Sequence, residues 1–274
     1  MRKHIAPAAM FALAVSLSAT AIAGVFYNNP GASSLEHPRA AMANAWLVRV
    51  KPGANARFYR NVVKPECPAL TPACMARGYL VPGDIAVAAY TTGSFTIVEF
   101  VGPSGAITDG AIESRLLERI QAPKPSLQDW IGHWQDTDEQ DIVISRTNDP
   151  SILGVVGHAM WGSHDPRRVK IGGVNLGDFG AYVKPVGEWG GFVADVGDTN
   201  EPDYRLPSIE KQRGLNTDWT RYFPAEADNA ESGRCRASFR LLGPYLLAYT
   251  PLYVCGGMNV TFTGVYRRVA SHHK

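Results

Sequence analysis

Residues 84–100 read DIAVAAYTTGSFTIVEF, and this stretch is the clearest local indication of β structure in the chain. It contains two apolar runs separated by Thr92-Gly93, which is a turn signal. The second run, from Phe95 to Phe100, alternates apolar and polar residues roughly as a half-buried strand does. The stretch therefore predicts two strands joined by a tight turn.

The composition of the whole chain agrees with a β-rich fold. Glycine and proline number 27 and 19 among 274 residues, which favours short strands and turns over long helices. Apolar residues make up 45% and charged residues 19% of the chain, so neither a disordered chain nor a coiled coil is expected. The net charge of +2 gives no electrostatic reason to expect nucleic-acid binding, which usually requires a clustered basic face.

The first 23 residues have the three parts of a secretory signal peptide. The basic pair Arg2-Lys3 precedes an apolar run that ends in Ala21-Ile22-Ala23. We therefore predict that residues 1–23 are removed and that the mature protein is periplasmic or secreted. The apolar run contains several polar residues, and its length is near the lower limit for a helix that spans a membrane. We therefore expect no stable membrane insertion of the mature chain.

The chain has four cysteines, and all of them follow the signal peptide: Cys67, Cys74, Cys235 and Cys255. An even number of cysteines in an oxidising compartment indicates disulfides. The pairing Cys67–Cys74 with Cys235–Cys255 keeps each bridge within one region and is the one predicted. A four-thiolate zinc site is the alternative. In such sites the cysteines of a pair are usually separated by about two to four residues, whereas the cysteines of this chain are further apart.

Changes in composition divide the chain into two modules. Residues 24–44 are polar and contain proline, which predicts a flexible lead-in. Residues 45–120 have several short apolar runs with tight turns, as in a small barrel, and the apolar spacing over residues 112–120 predicts a closing helix. Residues 121–128 contain two prolines and predict a short stiff linker. Residues 129–270 form a second module, so that the predicted fold class is all-β, with two small β-barrels joined by a proline-containing linker.

Within the second module, the runs at 141–144 and 152–161 predict a hairpin that turns at Asn148-Asp149-Pro150. Further strands are predicted over 169–174, 180–183, 239–247 and 259–267. Residues 191–234 are polar and acidic and do not fit this pattern. A long loop between two strands is therefore predicted there.

Three segments of the first module share a recognisable pattern, namely Ala56–Tyr59, Tyr79–Asp84 with its Pro-Gly-Asp turn, and Gly93–Phe100. This pattern resembles that of the bacterial Src-homology-three domain. The resemblance implies a small β-barrel of a kind that is common in envelope proteins. Many members of that family end in a Gly-Trp-apolar step, whereas this chain has Gly110-Ala111-Ile112.

The second module opens on a Trp-x-Gly-x-Trp sequence at residues 130–134, continues as a glycine-rich meander, and closes on Gly264–Arg267. These features resemble the small closed barrels of the lipocalin and avidin families. The resemblance covers residues 129–190 and 235–268 and implies a small closed barrel.

Motifs of common hydrolases are missing from the sequence. It contains no His-x-His pair, no His-Glu-x-x-His and no Gly-x-Ser-x-Gly, and its cysteines are expected to form disulfides rather than to serve as nucleophiles. The best remaining group is His158 with His164 and Asp165, which could supply two imidazoles and a carboxylate to zinc. The alternative is that His158 is a half-buried strand residue and that His164 and Asp165 belong to the following turn.

Four residues of the second module are the candidates for binding: Trp161, Trp189, Glu188 and Arg267. Both tryptophans stand beside glycines, and an aromatic face among glycines can stack on a sugar ring or receive a partner loop. Trp161 follows an apolar strand and is expected to be mainly core, whereas Trp189 is expected to be exposed. Arg267 either binds a carboxylate with both guanidinium nitrogens or lies at the barrel rim.

We therefore expect a non-catalytic protein of the cell envelope that has no cofactor and binds peptidoglycan or a wall-associated protein. Small disulfide-braced barrels also serve as inhibitors of lysozyme-like enzymes, so inhibition of a wall hydrolase is one alternative. A metal-dependent hydrolase that uses His158 and His164 is the other.

Overall fold

The computed structural model describes residues 38–62, 66–103, 105–194, 235–251 and 254–269. The predicted signal peptide, the first part of the predicted lead-in and nearly all of the predicted loop at 191–234 lie outside the described residues. The described helices are short: α1 (Pro38–Asn44), α2 (Leu127–Trp130) and α3 (Pro166–Lys170). None of them has the length and apolar character that a membrane-crossing helix needs.

Seven strands from the first module form one antiparallel sheet, in the order β3-β2-β6-β5-β4-β1-β7. Their bounds are β1 (Trp46–Val50), β2 (Ala56–Tyr59), β3 (Met75–Leu80), β4 (Ile85–Thr92), β5 (Phe95–Val101), β6 (Ile107–Glu113) and β7 (Leu117–Ile120). The opening stretch of sequence forms β4 and β5, which pair as a hairpin. This sheet is called the first sheet below.

Eight strands from the second module form a nearly closed barrel. Their bounds are β8 (Gly132–Thr137), β9 (Gln140–Arg146), β10 (Leu153–Trp161), β11 (Asn175–Val183), β12 (Trp189–Ala194), β13 (Cys235–Leu242), β14 (Tyr245–Tyr249) and β15 (Gly264–Arg268). Each strand pairs with the next in sequence except at β11 and β12, and β15 returns to pair with β8. The prediction of an all-β fold is therefore confirmed.

Aromatic side chains fill the interior of the barrel. The ring of Phe179 on β11 lies 4.9 Å from that of Phe192 on β12 and 4.6 Å from that of Phe262, measured between centroids. Gly157 on β10 makes room for Phe179, because a Cβ atom there would stand 2.4 Å from the ring. The barrel is thus a packed core, with alternate residues of each strand directed inward.

The two sheets pack against each other and share a hydrophobic cluster. On β14, Leu246 and Ala248 belong to the barrel core, whereas Tyr245 and Leu247 pack with Leu47 and other residues of the first sheet. Because β14 is buried on both faces, its sequence is continuously apolar instead of alternating. The outer wall of the barrel at β14 and β15 is therefore the contact surface between the two sheets.

The predicted closing helix at 112–120 is wrong. Residues 107–113 form β6, residues 114–116 form a 3-10 turn, and residues 117–120 form β7. Ile112 and Leu117 are both buried in the core of the first sheet. The same apolar spacing suits two strands around a turn, and pairing with β5 and β1 satisfies the backbone there.

Three predicted strands of the second module also differ from the structure. Residues 239–247 span the end of β13, a turn and the start of β14, which pair as a hairpin. Residues 166–170 form α3, because the Asp165 side chain accepts a hydrogen bond from the backbone N–H of Arg167 and Pro166 occupies the first turn. The last strand begins at Gly264 and not at 259. Residues 260–263 are buried but do not pair with a neighbouring strand. Threonine side chains form hydrogen bonds with the backbone there instead. Thr263 Oγ1 accepts one from Thr250 N at 3.0 Å, and Thr250 Oγ1 accepts one from Phe262 N at 2.9 Å.

Other local predictions agree with the structure. The hairpin of β9 and β10 forms as predicted, and the disulfides are Cys67–Cys74 and Cys235–Cys255, also as predicted.

At the start of the described chain, the last seven residues of the predicted flexible lead-in form the helix α1 instead. Met42 anchors that helix, since its side chain is buried in the cluster between the two sheets.

Candidate functional site

The two candidate tryptophans lie at opposite ends of the barrel. Trp161 ends β10 and pairs with Asn175 at the start of β11, whereas Trp189 opens β12 after the turn that follows Val183. We call the Trp161 end the loop end, because three connecting segments lie there: the β8–β9 turn, the β10–β11 connection with α3, and residues 254–260. The four candidate residues therefore do not form one site.

Arg240 on β13 is the centre of the contact at the Trp189 end. It is only 9% exposed, and its Nη1 donates hydrogen bonds to the carbonyl oxygens of Met42, Ala43 and Ala45 at 2.9, 3.1 and 2.9 Å. The carbonyls at a helix end lack partners within the helix, and a cation is favourable there. Arg240 thus fastens the C-terminal end of α1 to the outer wall of the barrel.

Glu188 and Trp189 complete the surroundings of this arginine. Arg240 Nε donates to Glu188 Oε1 at 3.1 Å, and Nη2 lies at the same distance from that oxygen. The guanidinium carbon lies 4.8 Å from the ring centroid of Trp189, which is half-buried and not exposed as the flanking glycines suggest. Burial lowers the pKa of Arg240 from its ordinary value, and Glu188 acts in the opposite direction. Both candidate residues therefore contact a buried arginine of the same chain.

Arg267 also belongs to the contact between the two sheets. Its Nη1 donates a hydrogen bond to the carbonyl oxygen of Val101 on β5 at 2.8 Å. Nearby, the hydroxyl of Tyr245 donates to the carbonyl oxygen of Ile85 on β4, and burial raises the pKa of that tyrosine. Both side chains span from the barrel to carbonyl groups of the first sheet.

Trp161 is half-buried against the barrel core. The guanidinium carbon of Arg168 on α3 lies 4.0 Å from its ring centroid, within the range of a cation–π contact. Arg168 Nε in turn lies 3.7 Å from Asp165 Oδ2. One face of the indole is therefore covered by an arginine of the same chain.

Five exposed apolar residues lie at the loop end of the barrel, on the strands and connections next to Trp161. They are Met160, Val169, Ile171, Leu176 and Met258, and they are called the loop-end patch. Leu176 and Met160 are cross-strand partners, and Gly257 N donates to the carbonyl oxygen of Leu176 at 2.9 Å. Asn175 Nδ2 donates to the carbonyl oxygen of Met258 at 2.6 Å. These contacts join the β10–β11 connection and residues 254–260 into one surface.

The histidines of the candidate zinc set are held by separate carboxylates. His158 Nδ1 lies 2.7 Å from Asp178 Oδ1, and His164 Nε2 lies 3.0 Å from Asp138 Oδ1. The hydrogen bond to Asp138 raises the pKa of His164, whereas Asp165 caps α3. Across the described ranges, no group of three or more histidine, cysteine, aspartate and glutamate side chains is placed to hold a metal ion.

Asp136 on β8 is a buried carboxyl that sequence reasoning missed. Its Oδ1 has no hydrogen-bond partner among the described residues, and burial raises its pKa from 3.8 to about 8. Gly264 on β15 packs directly against the carboxyl group. The available signal was its position two residues after Trp134, which places both side chains on the inward face of β8.

The role of Arg240, in contrast, could not be predicted from the sequence, because it depends on contacts with α1, which is nearly 200 residues away in the chain.

Comparisons of this chain with protein-family models, with curated proteins and with solved structures find no match.

Proposed function

We propose that this chain is a non-catalytic binding protein of the cell envelope that recognises another protein through the loop-end patch. The observation that carries the proposal is the exposure of large apolar side chains at the loop end, with Ile171 79% and Leu176 60% exposed. Large apolar side chains that are exposed at one end of a fold are typical of protein interaction sites. The two methionines add side chains that adapt to a partner's shape.

The surroundings of the tryptophans favour a protein partner over peptidoglycan. Stacking on a sugar ring requires an accessible aromatic face. Trp161 and Trp189 are both half-buried, and each has a guanidinium group against its ring, at 4.0 and 4.8 Å. A glycan would have to displace these arginines, whereas the apolar side chains of the loop-end patch are already accessible.

The fold holds this patch in a fixed position. The disulfide Cys235–Cys255 joins the start of β13 to the segment that bears Met258, and the hydrogen bonds of Asn175 and Gly257 join that segment to β11. Because less motion has to be lost on binding, a rigid surface binds more tightly than a flexible one. The two disulfides also support an oxidising compartment outside the cytoplasm, in agreement with the predicted signal peptide.

The test combines a pull-down from an envelope extract with sedimentation of purified sacculi. We expect the wild-type protein to retain a partner protein that both Ile171→Asp and Leu176→Asp lose, while sacculi leave it in the supernatant. Val186→Asp is the matched control, since Val186 is an exposed apolar residue at the opposite end of the barrel. Sedimentation with sacculi that is unaffected by the patch variants would assign peptidoglycan as the ligand and overturn the proposal. Circular dichroism melting checks that each variant is folded.

A further inference from the structure

The strand β3 forms one edge of the first sheet and exposes an unusual set of side chains. It pairs with β2 and stands last in the order of the sheet. Met75, Arg77 and Tyr79 lie on its exposed face, and Tyr79 is 52% exposed. Leu80, at the end of the strand, is buried in the core of the first sheet. An edge strand carries backbone N–H and C=O groups that can pair with a further strand.

Three exposed arginines lie on or beside this edge: Arg57 and Arg60 from the β2 segment and Arg77 on β3. Arg57 is the cross-strand partner of Tyr79, and its Nη1 donates to the carbonyl oxygen of Ala76 at 3.2 Å. Among the residues that the structure describes, none of the three arginines forms an ion pair with a carboxylate. The surface therefore has positive charge that the described part of the chain does not neutralise.

The opposite edge of the same sheet, β7, is different. There Glu118 pairs with Arg49 at 3.3 Å, and the guanidinium carbon of Arg119 lies 5.1 Å from the ring centroid of Trp46. The charges of β7 are thus satisfied within the sheet. Charged side chains on an edge strand discourage its pairing with another copy of the same edge, whereas arginines that have no carboxylate partner among the described residues can attract an anionic chain.

The β3 edge is held in place at both ends. The disulfide Cys67–Cys74 ends directly before Met75. After the strand, Asp84 Oδ2 accepts a hydrogen bond from the backbone N–H of Val81 at 2.8 Å and fixes the turn. Leu70 and Val81 add exposed apolar surface on either side. An incoming strand would therefore meet an ordered template with apolar flanks.

We propose that the outer edge of β3 binds an extended acidic segment of a partner protein, which adds to the first sheet as a further strand. Backbone hydrogen bonds to β3 supply affinity, and alternate side chains of the segment supply specificity. Carboxylates of the segment pair with Arg57 and Arg77, for which guanidinium groups are well suited, and the carbon chains that carry these carboxylates pack on Met75 and Tyr79 on the same face of the sheet. The alternate, apolar side chains of the segment lie on the opposite face, beside Ala76 and Leu80. This surface is separate from the loop-end patch, so the proposal goes beyond the function proposed above.

The test titrates the purified full chain into a fluorescein-labelled ten-residue peptide of alternating Glu and Val and follows the anisotropy. We expect saturable binding that weakens with salt. It should fall by roughly tenfold or more in the double variant Arg57→Gln/Arg77→Gln, since two charge-assisted contacts are lost. Tyr79→Ser should weaken binding without changing its salt dependence. The matched control Arg167→Gln/Lys170→Gln removes two positive charges from α3 and should bind as the wild type does.

Two further peptides separate the components of binding. A Gln-Val peptide of the same length should bind at least about tenfold more weakly because it lacks carboxylates. A Glu-Val peptide with N-methyl groups on alternate amides should also lose binding, because it cannot complete the ladder. Equal binding of either peptide, or equal losses in the α3 control, would overturn the proposal.

Other anionic partners give distinct results. Tighter binding of duplex DNA or of phosphatidylglycerol vesicles, with loss in Arg57→Gln/Arg77→Gln, would assign the edge to a different class of partner and overturn the proposal. So would the absence of saturable peptide binding. Ile171→Asp should leave peptide binding unchanged, so failure here and failure of the loop-end patch are distinguishable.

Discussion

Asp136 carries a carboxyl into the barrel, where burial raises its pKa to about 8 against 3.8 in an unfolded chain. The folded state therefore holds a proton that the unfolded state releases as the pH rises. The contribution of this group to the free energy of unfolding is complete below pH 3.8 and is lost progressively as the pH rises through about 8. The residue thus limits stability at neutral and alkaline pH.

At this residue we expect Asp136→Asn to stabilise the fold at pH 8 by a few kcal/mol, since an amide does not ionise and each pKa unit corresponds to about 1.4 kcal/mol. At pH 4 the two proteins should unfold at nearly the same urea concentration. Glu66→Gln is the matched control, because Glu66 is an exposed carboxylate and its replacement should not reproduce the pH-dependent gain. A gain for Asp136→Asn of equal size at both pH values would show that the carboxyl is not protonated in the folded state.

At the scale of elements, β14 joins the barrel to the first sheet because both of its faces are buried. Truncating Leu247 removes packing against the first sheet, while truncating Leu246 removes packing inside the barrel. We expect each of Leu246→Ala and Leu247→Ala to lower the free energy of unfolding by roughly 2–5 kcal/mol, as buried leucines do. Leu176→Ala on the exposed face of β11 is the control and should cost much less. Urea unfolding measures all three, and a small loss in Leu247→Ala would contradict the contact between the sheets.

The molecule as a whole is held together by long-range contacts from the barrel to α1 and to the first sheet. Arg240 binds three carbonyl oxygens at the end of α1, and Arg267 binds the carbonyl oxygen of Val101. Because these contacts and the shared cluster of β14 cross between the sheets, we expect the two sheets to unfold in one transition. Two modules that fold separately on either side of the predicted linker would instead produce two transitions.

Hydrogen exchange measures this cooperativity directly. Amides of β5 and β13 should have similar protection, and Arg240→Ala should lower both together by about 2 kcal/mol, because it leaves the α1 carbonyls and Glu188 without their partner. Arg168→Ala, which removes an arginine from Trp161 at the loop end, should leave β5 unchanged. Loss of protection in β13 alone would contradict a single cooperative unit.

Local patterns in the sequence identify many of the strands and both disulfides. The β9–β10 hairpin and the β4–β5 pair follow from apolar runs around turn residues, and the bridges follow from cysteines close in the chain. These features depend on neighbouring residues, which a sequence displays directly. The error at 112–120 arose because one apolar spacing suits both a helix and two strands around a turn, and the pairing with distant strands selects between them.

The candidate residues depend on contacts between distant parts of the chain. Glu188, Trp189 and Arg267 have the residue types of a ligand site, yet in the folded molecule they contact Arg240 or the first sheet. Whether an arginine is accessible or buried depends on which wall of the barrel meets the first sheet. That choice follows from packing of complementary apolar faces, whose partners here are separated by more than a hundred residues. Many of the β strands and both disulfides could therefore be predicted from the order of the residues, whereas the packing of the two sheets against each other decides which side chains remain accessible.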